Sequence, residues 1–407
     1  MSKRKGLFLG AGASYDFGMP LVWQLTKEIR NWLTPEKLDQ INVGWKQQGG
    51  GKRPETIDFT KRLLLSKELH YEQIIGALEV EANRTRGDND LYQDLWGMVA
   101  WLNELIYILL QERQCKNSKY ISGTLDLYYR FSDFVSTDYP FWIFTTNHDL
   151  NVEMLAIHYK IPYKTGFCNN DLNFPLRNSS GIPEGRIKFN TYETKDFNKK
   201  PMNFYSKLND RGINLLKLHG ALDIFLFNDN KQYIKLDLDH CNDHFQILNL
   251  LKDLNERLTN ASNVKTTNEI TFEDDQGEMQ FLRRSILSGM HKFKTKVGQN
   301  MPEEILPIFR QNLNFVSDLV VVGYGFADVH INQILKEWLA FTPERRMLIV
   351  NPGIKTISDE FKIYINQLEL RQCSFLEFLV DETNKSLTRK EKITYLIRNI
   401  VRKVAKK

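Results

Sequence analysis

The feature that most constrains the fold is a short apolar strand at residues 7–9, which runs directly into a glycine turn at residues 10–14. After Pro20, apolar residues recur at every fourth position, which is the spacing of one face of an α-helix. A strand, a glycine turn and a helix in this order let backbone N–H groups reach a pyrophosphate, because glycine has no Cβ. Tyr15 stands where the dinucleotide fingerprint has its third glycine. A plain tight turn of any α/β protein is therefore an equal alternative.

Later apolar strands also end in glycine or in polar side chains. These strands and their endings are 141–144 with Thr145-Thr146-Asn147-His148-Asp149, 213–218 with His219-Gly220, 318–322 with Gly323-Tyr324-Gly325-Phe326, and 347–350 with Asn351. A further strand is predicted at 374–380. Because helices separate the strands, we predict an α/β fold. It is a Rossmann-like three-layer domain with a mostly parallel sheet of about six strands, plus helical and irregular insertions.

The polar side chains at the strand ends are candidates for ligand contact, because ligands bind beyond the carboxyl ends of the strands in open α/β sheets. His219 can titrate near neutral pH and so act as a general base. A simpler alternative exists for each residue. Asn147 and Asp149 suit the N-terminal cap of the helix that follows them, and a histidine after a strand can be structural.

Three stretches are predicted as insertions within a domain that spans residues 1–380, and they lie near 34–136, 163–212 and 228–300. The first begins with a polar segment at 34–53 that we interpret as a surface loop. It continues in helices predicted from apolar stripes near 70–80, 91–111 and 125–135.

The second and third insertions are rich in polar residues. The second has the composition of an irregular or partly stranded excursion. The third contains an amphipathic helix at 245–258 and a polar stretch at 260–278, which we interpret as mobile or in contact with a partner.

Residues 381–407 are predicted to form a basic C-terminal helix. Thr388 and Glu391 have the spacing of a capping box. Apolar residues then follow at helical spacing: Ile393, Leu396, Ile397, Ile400, Val401 and Val404. We interpret the helix as docking on its own domain or on a second subunit rather than on nucleic acid or a membrane.

The composition excludes several classes of protein. The formal net charge of +5, from 55 basic and 50 acidic residues, is too small and too dispersed to indicate a nucleic-acid partner. The four cysteines lie far apart without a C-x-x-C pair, so neither a structural zinc site nor a disulfide framework is predicted. No apolar run of about eighteen residues occurs, and the apolar start is a strand rather than a signal peptide. We therefore expect a reduced, cytoplasmic protein.

Taken together, the strand ends resemble the sirtuin superfamily, and more closely its sirtuin-like NAD-hydrolysing effectors of bacterial anti-phage defence. The likeness extends over residues 5–380. It implies an NADase that releases nicotinamide and ADP-ribose, and that depletes NAD in abortive infection. It also implies a homo-oligomer, with a partner such as a HerA-like hexameric translocase ATPase or a short Argonaute, and no direct binding to nucleic acid or membrane.

The resemblance implies a role for each motif residue. Asn147 positions the water or the ribose, Asp149 holds the nicotinamide amide, and His219 acts as the base. Asn351 lies near the adenosine side. The remaining positions that contact NAD, some through the diphosphate and ribose, are Gly10, Ala11, Gly12, Ser14, Thr146, Gly323 and Tyr324.

The chain departs from the resemblance at three places. The family's Gly-x-Pro is followed by Asp-Phe-Arg, whereas Gly18-Met19-Pro20 is followed here by Leu21-Val22-Trp23. Residues 147–323 contain only Cys168 and Cys241, whereas sirtuin deacylases carry a four-cysteine zinc module there. No zinc is expected, and deacylation or ADP-ribosyl transfer is disfavoured. Gly325 stands where the family usually has serine, which leaves an inactive scaffold that binds NAD or ADP-ribose as the main alternative.

Overall fold

The computed structural model describes residues 4–178, 180–197, 199–208, 210–260, 267–287 and 302–404. The strands of these residues are β1 Lys5–Leu9, β2 Phe141–Thr145, β3 Tyr163–Lys164, β4 Cys168–Arg177, β5 Pro183–Glu193, β6 Ile213–Lys217, β7 Gly220–Phe227, β8 Gln232–Leu236, β9 Glu269–Glu273, β10 Met279–Ile286, β11 Asp318–Val322, β12 Arg346–Val350 and β13 Leu368–Arg371. The α-helices are α1 Val22–Trp32, α2 Pro35–Gln47, α3 Pro54–Leu65, α4 Tyr71–Arg84, α5 Asn89–Lys116, α6 Ser118–Leu125, α7 Tyr129–Val135, α8 Asn151–His158, α9 His244–Asn260, α10 Ile305–Leu313, α11 Val329–Phe341, α12 Phe375–Thr383 and α13 Arg389–Val404.

Seven strands form one parallel sheet in the order β13-β12-β11-β1-β2-β6-β3. In chain order, β2 and β6 lie successively farther from β1 on one side. The later strands β11, β12 and β13 then lie successively farther from β1 on its other side. The direction of winding therefore reverses between β1 and β11. In open α/β sheets this switch point opens a crevice beyond the carboxyl ends of the strands.

Both faces of the parallel sheet are buried, which explains its nearly continuous apolar strands. Successive residues of β1 point to opposite faces, so Leu7 and Leu9 enter one hydrophobic core and Phe8 enters the other. Side chains of α5, α7, α8 and α12 fill the first core, and those of α10 and α11 fill the second. The α/β class predicted from the sequence is confirmed.

A second sheet, which the sequence did not predict, is antiparallel and has the strand order β4-β5-β8-β7-β10-β9. Five of its strands, β4, β5, β8, β9 and β10, lie within the second and third predicted insertions at 163–212 and 228–300. The polar stretch 260–278 contains β9, in which Ile270 and Phe272 are completely buried. This part is a core strand of the protein, while residues 261–266 of the same stretch lie outside the described residues.

Two of the predictions for local structure are wrong. Residues 374–380 form the start of α12 rather than a strand. Ser374 accepts from the Glu377 N–H, and the Glu377 carboxylate accepts from the Ser374 N–H, which makes a capping box. The seventh, edge strand is β13, just before it. The predicted loop at 34–53 contains α2, which Thr34 caps by accepting from the Lys37 N–H.

The structure has a C-terminal helix, α13, which begins at the predicted Thr388–Glu391 capping box. Its bounds are narrower than the predicted 381–407, because residues 381–383 belong to α12, and residues 405–407 lie outside the described residues. It docks on the domain mainly through polar groups. Arg398 donates to the Tyr120 carbonyl, and the fully buried Arg130 donates to the Lys385 and Ser386 carbonyls just before the helix. The apolar stripe of α13 is not buried against the domain. Five of its side chains are 50–61% exposed: Ile393, Leu396, Ile397, Ile400 and Val401.

None of the helices in the described part of the chain is long and apolar enough to cross a membrane.

Candidate functional site

The turns that follow β1 and β11 touch each other directly at the switch point. The Gly12 N–H donates to the Gly323 carbonyl over 2.9 Å. Gly323 has a left-handed backbone with φ of +62°, and a Cβ placed on it would lie 2.5 Å from the Gly12 Cα. Glycine at both positions is therefore a packing requirement of the two turns, whether or not a ligand binds there.

Asn147 connects the turn after β1 to the turn after β2. Its side-chain amide donates to the Gly10 carbonyl and to the Ser14 hydroxyl, each over 2.9 Å. The side chain is therefore not a helix cap, which was the simpler alternative. It is buried, and its backbone N–H is fixed by the Thr145 hydroxyl at 3.0 Å.

Asp149 lies at the start of α8 with its side chain buried. It accepts from the Asn151 N–H over 3.1 Å, so it does serve the helix start as the simpler alternative predicted. Burial raises the pKa of Asp149 above its ordinary value, against the opposing effects of the Lys217 charge and of a hydrogen bond with Ser14. A carboxyl group with this environment has a weakened preference for the ionised form.

A network of buried charges lies beneath Asp149. Lys217, the last residue of β6, donates to the Asp149 carbonyl and pairs with Glu153 at 3.1 Å. Lys235 of β8 pairs with the same Glu153 oxygen at 3.2 Å and with Asp223 of β7. Burial opposes ionisation of Glu153, but Lys217 and Lys235 outweigh it and hold its pKa below the ordinary value. These ion pairs connect Lys235 and Asp223 of the antiparallel sheet to Glu153 and Lys217, which lie next to Asp149.

His219 follows β6 as Asn147 follows β2, because each comes two residues after the paired positions Lys217 and Thr145. The two strands are neighbours, so the two residues follow adjacent strand ends. The imidazole is buried, and its Nε2 atom lies 3.1 Å from Oδ2 of Asp328. Asp328 is the N-cap of α11, where its other oxygen accepts from the His330 and Ile331 N–H groups.

The remaining predicted residues line the same edge of the sheet at different depths. Ala11 begins the 3-10 helix Ala11–Phe17 after β1. The Thr146 N–H donates to the Leu9 carbonyl over 3.1 Å, which joins β2 to β1. Tyr324 is buried, with its ring against Phe8 and its hydroxyl donating to Asn332 at 3.0 Å. The Tyr324 hydroxyl is therefore hydrogen-bonded within the core, and only the backbone of Tyr324 forms part of the turn after β11.

Asn351 follows β12, which is farther along the sheet from Asn147 and His219 than β11 is. Its side chain donates to the Tyr324 carbonyl at 3.4 Å and accepts from the Gly353 N–H at 2.9 Å. It therefore flanks the turn after β11 at the end of the neighbouring strand β12.

A small pocket lies under the turn after β1. Its polar lining includes Ser14, Asn147, Asp149 and Lys217, and its apolar lining includes Phe17, Phe131 and Phe375. Its cavity volume is about 10 Å³, which is the room that about one water molecule needs.

Sequence reasoning missed three charged residues of this region, because Glu153 is not among the motif residues and neither Lys217 nor Asp328 received a role.

 

Glu153 carries no motif signal, because it is a helix residue like many others. Lys217 directly precedes the Leu218-His219-Gly220 sequence, and Asp328 stands at the predicted start of a helix. The signals that could have identified them were an ionisable residue inside an apolar strand and a helix cap next to a glycine turn.

No protein-family model matches this chain, and no curated protein was found to match it. Among the described residues, no group of three or more His, Cys, Asp or Glu side chains is arranged to hold a metal ion.

Proposed function

We propose that this protein is an NAD⁺ glycohydrolase, which cleaves NAD⁺ with water to give nicotinamide, ADP-ribose and a proton. The observation that carries the proposal is the connection of Asn147 to Gly10 and Ser14 at the switch point of the sheet. It joins a candidate reaction residue to the turn that suits a diphosphate. The winding of the parallel sheet, with β1 between β2 and β11, supports a Rossmann-like site for a nucleotide.

The chemistry needs few groups, because the bond between ribose and the cationic nicotinamide already has a good leaving group. The enzyme has to hold the nicotinamide, exclude bulk water and deliver one water molecule to the anomeric carbon. In this proposal Asn147 orients the ribose or the water, and Asp149 accepts from the nicotinamide amide. His219 takes the proton of the attacking water.

The pocket beneath Ser14 has room for about one water molecule, so a nicotinamide ring cannot enter it without a change of side-chain positions. The proposal therefore includes an opening of this pocket when NAD⁺ binds. Phe17, Phe131 and Phe375 are the large apolar side chains of its lining.

The second candidate is a scaffold that binds NAD⁺ or ADP-ribose without turnover. The close packing of Gly12 against Gly323 favours it, because this packing explains the glycines without any reaction. A sirtuin-type deacylase or ADP-ribosyltransferase is a weaker candidate, since the cysteines of the family's zinc module are missing from the sequence.

The exposed apolar stripe of α13 supports a proposal that the active form is an assembly. Half-exposed side chains at helical spacing form a surface that a second subunit can cover. The anti-phage role, and a partner such as a HerA-like translocase ATPase or a short Argonaute, rest on the resemblance of the motifs alone.

The decisive experiment incubates the purified protein with NAD⁺, at low and high protein concentration, and measures nicotinamide and ADP-ribose by chromatography. We expect turnover by the wild type and a loss of at least about 100-fold for Asn147→Ala and His219→Ala. Circular dichroism and thermal unfolding establish that each variant is folded. Binding of ADP-ribose without release of nicotinamide at either concentration would favour the scaffold instead.

A further inference from the structure

A cleft lies at the amino-terminal edge of the parallel sheet, on the side opposite to Asn147 and His219. Its lining includes Arg4 just before β1, Trp142 near the start of β2 and Phe315 just before β11. Because the strands are parallel, their amino ends share one edge, and the candidate site lies beyond the other edge. The strand β2 has five residues and is about 16 Å long, so the two places are separate. The cleft has a volume of about 470 Å³, which is within the usual range for small-molecule sites.

Aromatic side chains form much of the wall of this cleft. Trp142 is buried, and the Phe315 ring is parallel to it, with the two ring centroids 6.0 Å apart. Phe204 contacts the same Trp142 ring edge to face, at 4.9 Å between centroids. Phe315 is supported by this cluster and is still 54% exposed, so part of its ring is accessible to a planar ligand.

The segment that carries Phe204 is fixed before any ligand binds. Next to it, the Tyr205 N–H donates to the Asn214 side chain over 2.8 Å, and the Asn214 amide donates back to the Tyr205 carbonyl over 2.9 Å. Asn214 belongs to β6 and is completely buried, so this wall of the cleft is anchored to the sheet. A wall that is already in place loses little conformational entropy when a ligand binds.

The charge of the cleft is positive. Among the described residues that line it, every charged one is basic: Arg4, Lys199 and Lys200. Lys200 pairs with Asp196 at 2.9 Å, whereas no carboxylate in the described part of the chain pairs with Arg4 or Lys199. Two cationic groups are therefore available to an anion beside the aromatic wall.

We propose that this cleft is a second binding site, for a ligand that combines a planar ring with a negative charge, as a nucleoside monophosphate does. The ring stacks on Phe315, because every nucleobase has a face that suits an aromatic side chain. Arg4 and Lys199 bind the phosphate through charge-assisted hydrogen bonds. An apolar segment of another protein would cover the rings but would leave these two cations without a partner.

Calorimetric titration of the full-length protein with adenosine 5′-monophosphate (AMP) tests the proposal. We expect saturable binding with a Kd below about 1 mM. Adenosine lacks the charge and ribose 5-phosphate lacks the ring, so each of them should bind at least about tenfold more weakly than AMP. Absence of saturable AMP binding, or equal affinity for either fragment, would overturn the proposal.

Variants of the wall and of the cations test the two parts of the site. Phe315→Ala should weaken AMP binding about tenfold or more, while Phe315→Trp keeps a ring and should stay within about threefold of the wild type. Lys199→Ala should weaken binding about threefold at low salt and less at high salt. Phe341→Ala is the matched control, because Phe341 is a 76% exposed phenylalanine outside the cleft lining. Thermal unfolding establishes that each variant is folded, and unchanged affinity of Phe315→Ala would contradict the stacking.

Photolabelling locates the ligand independently of its affinity. After irradiation with 2-azido-AMP, proteolysis and mass spectrometry should find the label in peptides from residues 199–208 or 308–315. A label confined to other parts of the chain, such as the turn after β1, would overturn the inference. None of these experiments measures the hydrolysis of NAD⁺, so they decide this proposal even if the proposed function fails.

Discussion

The side-chain amide of Asn147 donates to the Ser14 hydroxyl over 2.9 Å, and so connects the turn after β2 to the turn after β1. The same amide donates to the Gly10 carbonyl. Because two acceptors on one turn hold it, the amide has a defined direction before any ligand binds, which is the kind of preorganisation that catalytic groups need.

The first prediction concerns Ser14→Ala, which removes one of these two acceptors. We expect the free energy of unfolding to fall by about 1 kcal/mol and kcat for NAD⁺ to fall about tenfold, because Asn147 becomes less well oriented. Thr34→Ala is the matched control. It removes the cap of α2 at a comparable cost of about 1 kcal/mol and should leave kcat unchanged. Equal turnover in the two variants would contradict a role of Ser14 in the site.

The second prediction compares two glycines of one turn. Gly323→Ala places a Cβ against the backbone of Gly12 and forces a left-handed alanine, so we expect loss of soluble protein or a strongly lowered Tm. Gly325→Ala meets no atom within 4 Å and should change the free energy of unfolding by no more than about 0.5 kcal/mol. Gly325→Ser, which restores the usual residue of the family, should be tolerated as well. Similar Tm values for the two alanine variants would show that the turns do not pack this closely.

The third prediction concerns pH and Asp149. Burial raises its pKa in the folded state, so the folded protein binds this proton more tightly than the unfolded chain does. Its contribution to stability therefore falls as the pH rises from the unfolded value near 3.8 through the raised folded value.

Asp149→Asn removes this penalty and can keep the bond from the Asn151 N–H. We expect the Tm of the variant to exceed that of the wild type at pH 7, with a difference that shrinks toward pH 4. We also expect weaker binding of NAD⁺, measured by calorimetry. A variant that is less stable than the wild type at pH 7 would contradict the argument.

The fourth prediction tests the assembly surface without disturbing how α13 docks. Leu396→Glu combined with Ile400→Glu places charges on two side chains that are 61% and 53% exposed, and leaves the contact of Arg398 with Tyr120 in place. We expect a smaller particle mass by light scattering and reduced turnover of NAD⁺. Lys390→Ala, at an exposed polar position of the same helix, is the control and should change neither quantity. If the double variant keeps the wild-type mass, this stripe is not an interface.

The sequence was sufficient for the core of the parallel sheet, because buried parallel strands are short apolar runs that end in recognisable turns. The strand predicted at residues 374–380 was wrong, because an apolar run of similar length belongs to a helix there. The Ser374 and Glu377 spacing was the signal that separates the two cases. The edge strand β13 was missed because its sequence, Leu-Glu-Leu-Arg, is only half apolar and has no buried residue.

The antiparallel sheet was not predicted from the sequence for a related reason. In β5 the buried residues Ile187, Phe189 and Thr191 alternate with more exposed ones, a pattern that was hidden by a surrounding composition typical of loops. For the site, the strand ends could be predicted one by one. The contact of His219 with Asp328 could not be predicted, because it depends on the order of the strands in the sheet and on the path of the turn after β11.

The place of β1 between β2 and β11 has a consequence for the synthesis of the protein. During synthesis β1 must wait for a partner strand that lies more than 300 positions later, as in the bond from the Arg4 N–H to the Ser317 hydroxyl across 313 residues. Contacts between such distant parts of a chain form late in folding. The turns at Gly12 and Gly323 can therefore meet only after β11 has been synthesised. Until then the nascent chain has no finished nucleotide crevice, so an enzyme of the proposed kind would not consume NAD⁺ before β11 has been made.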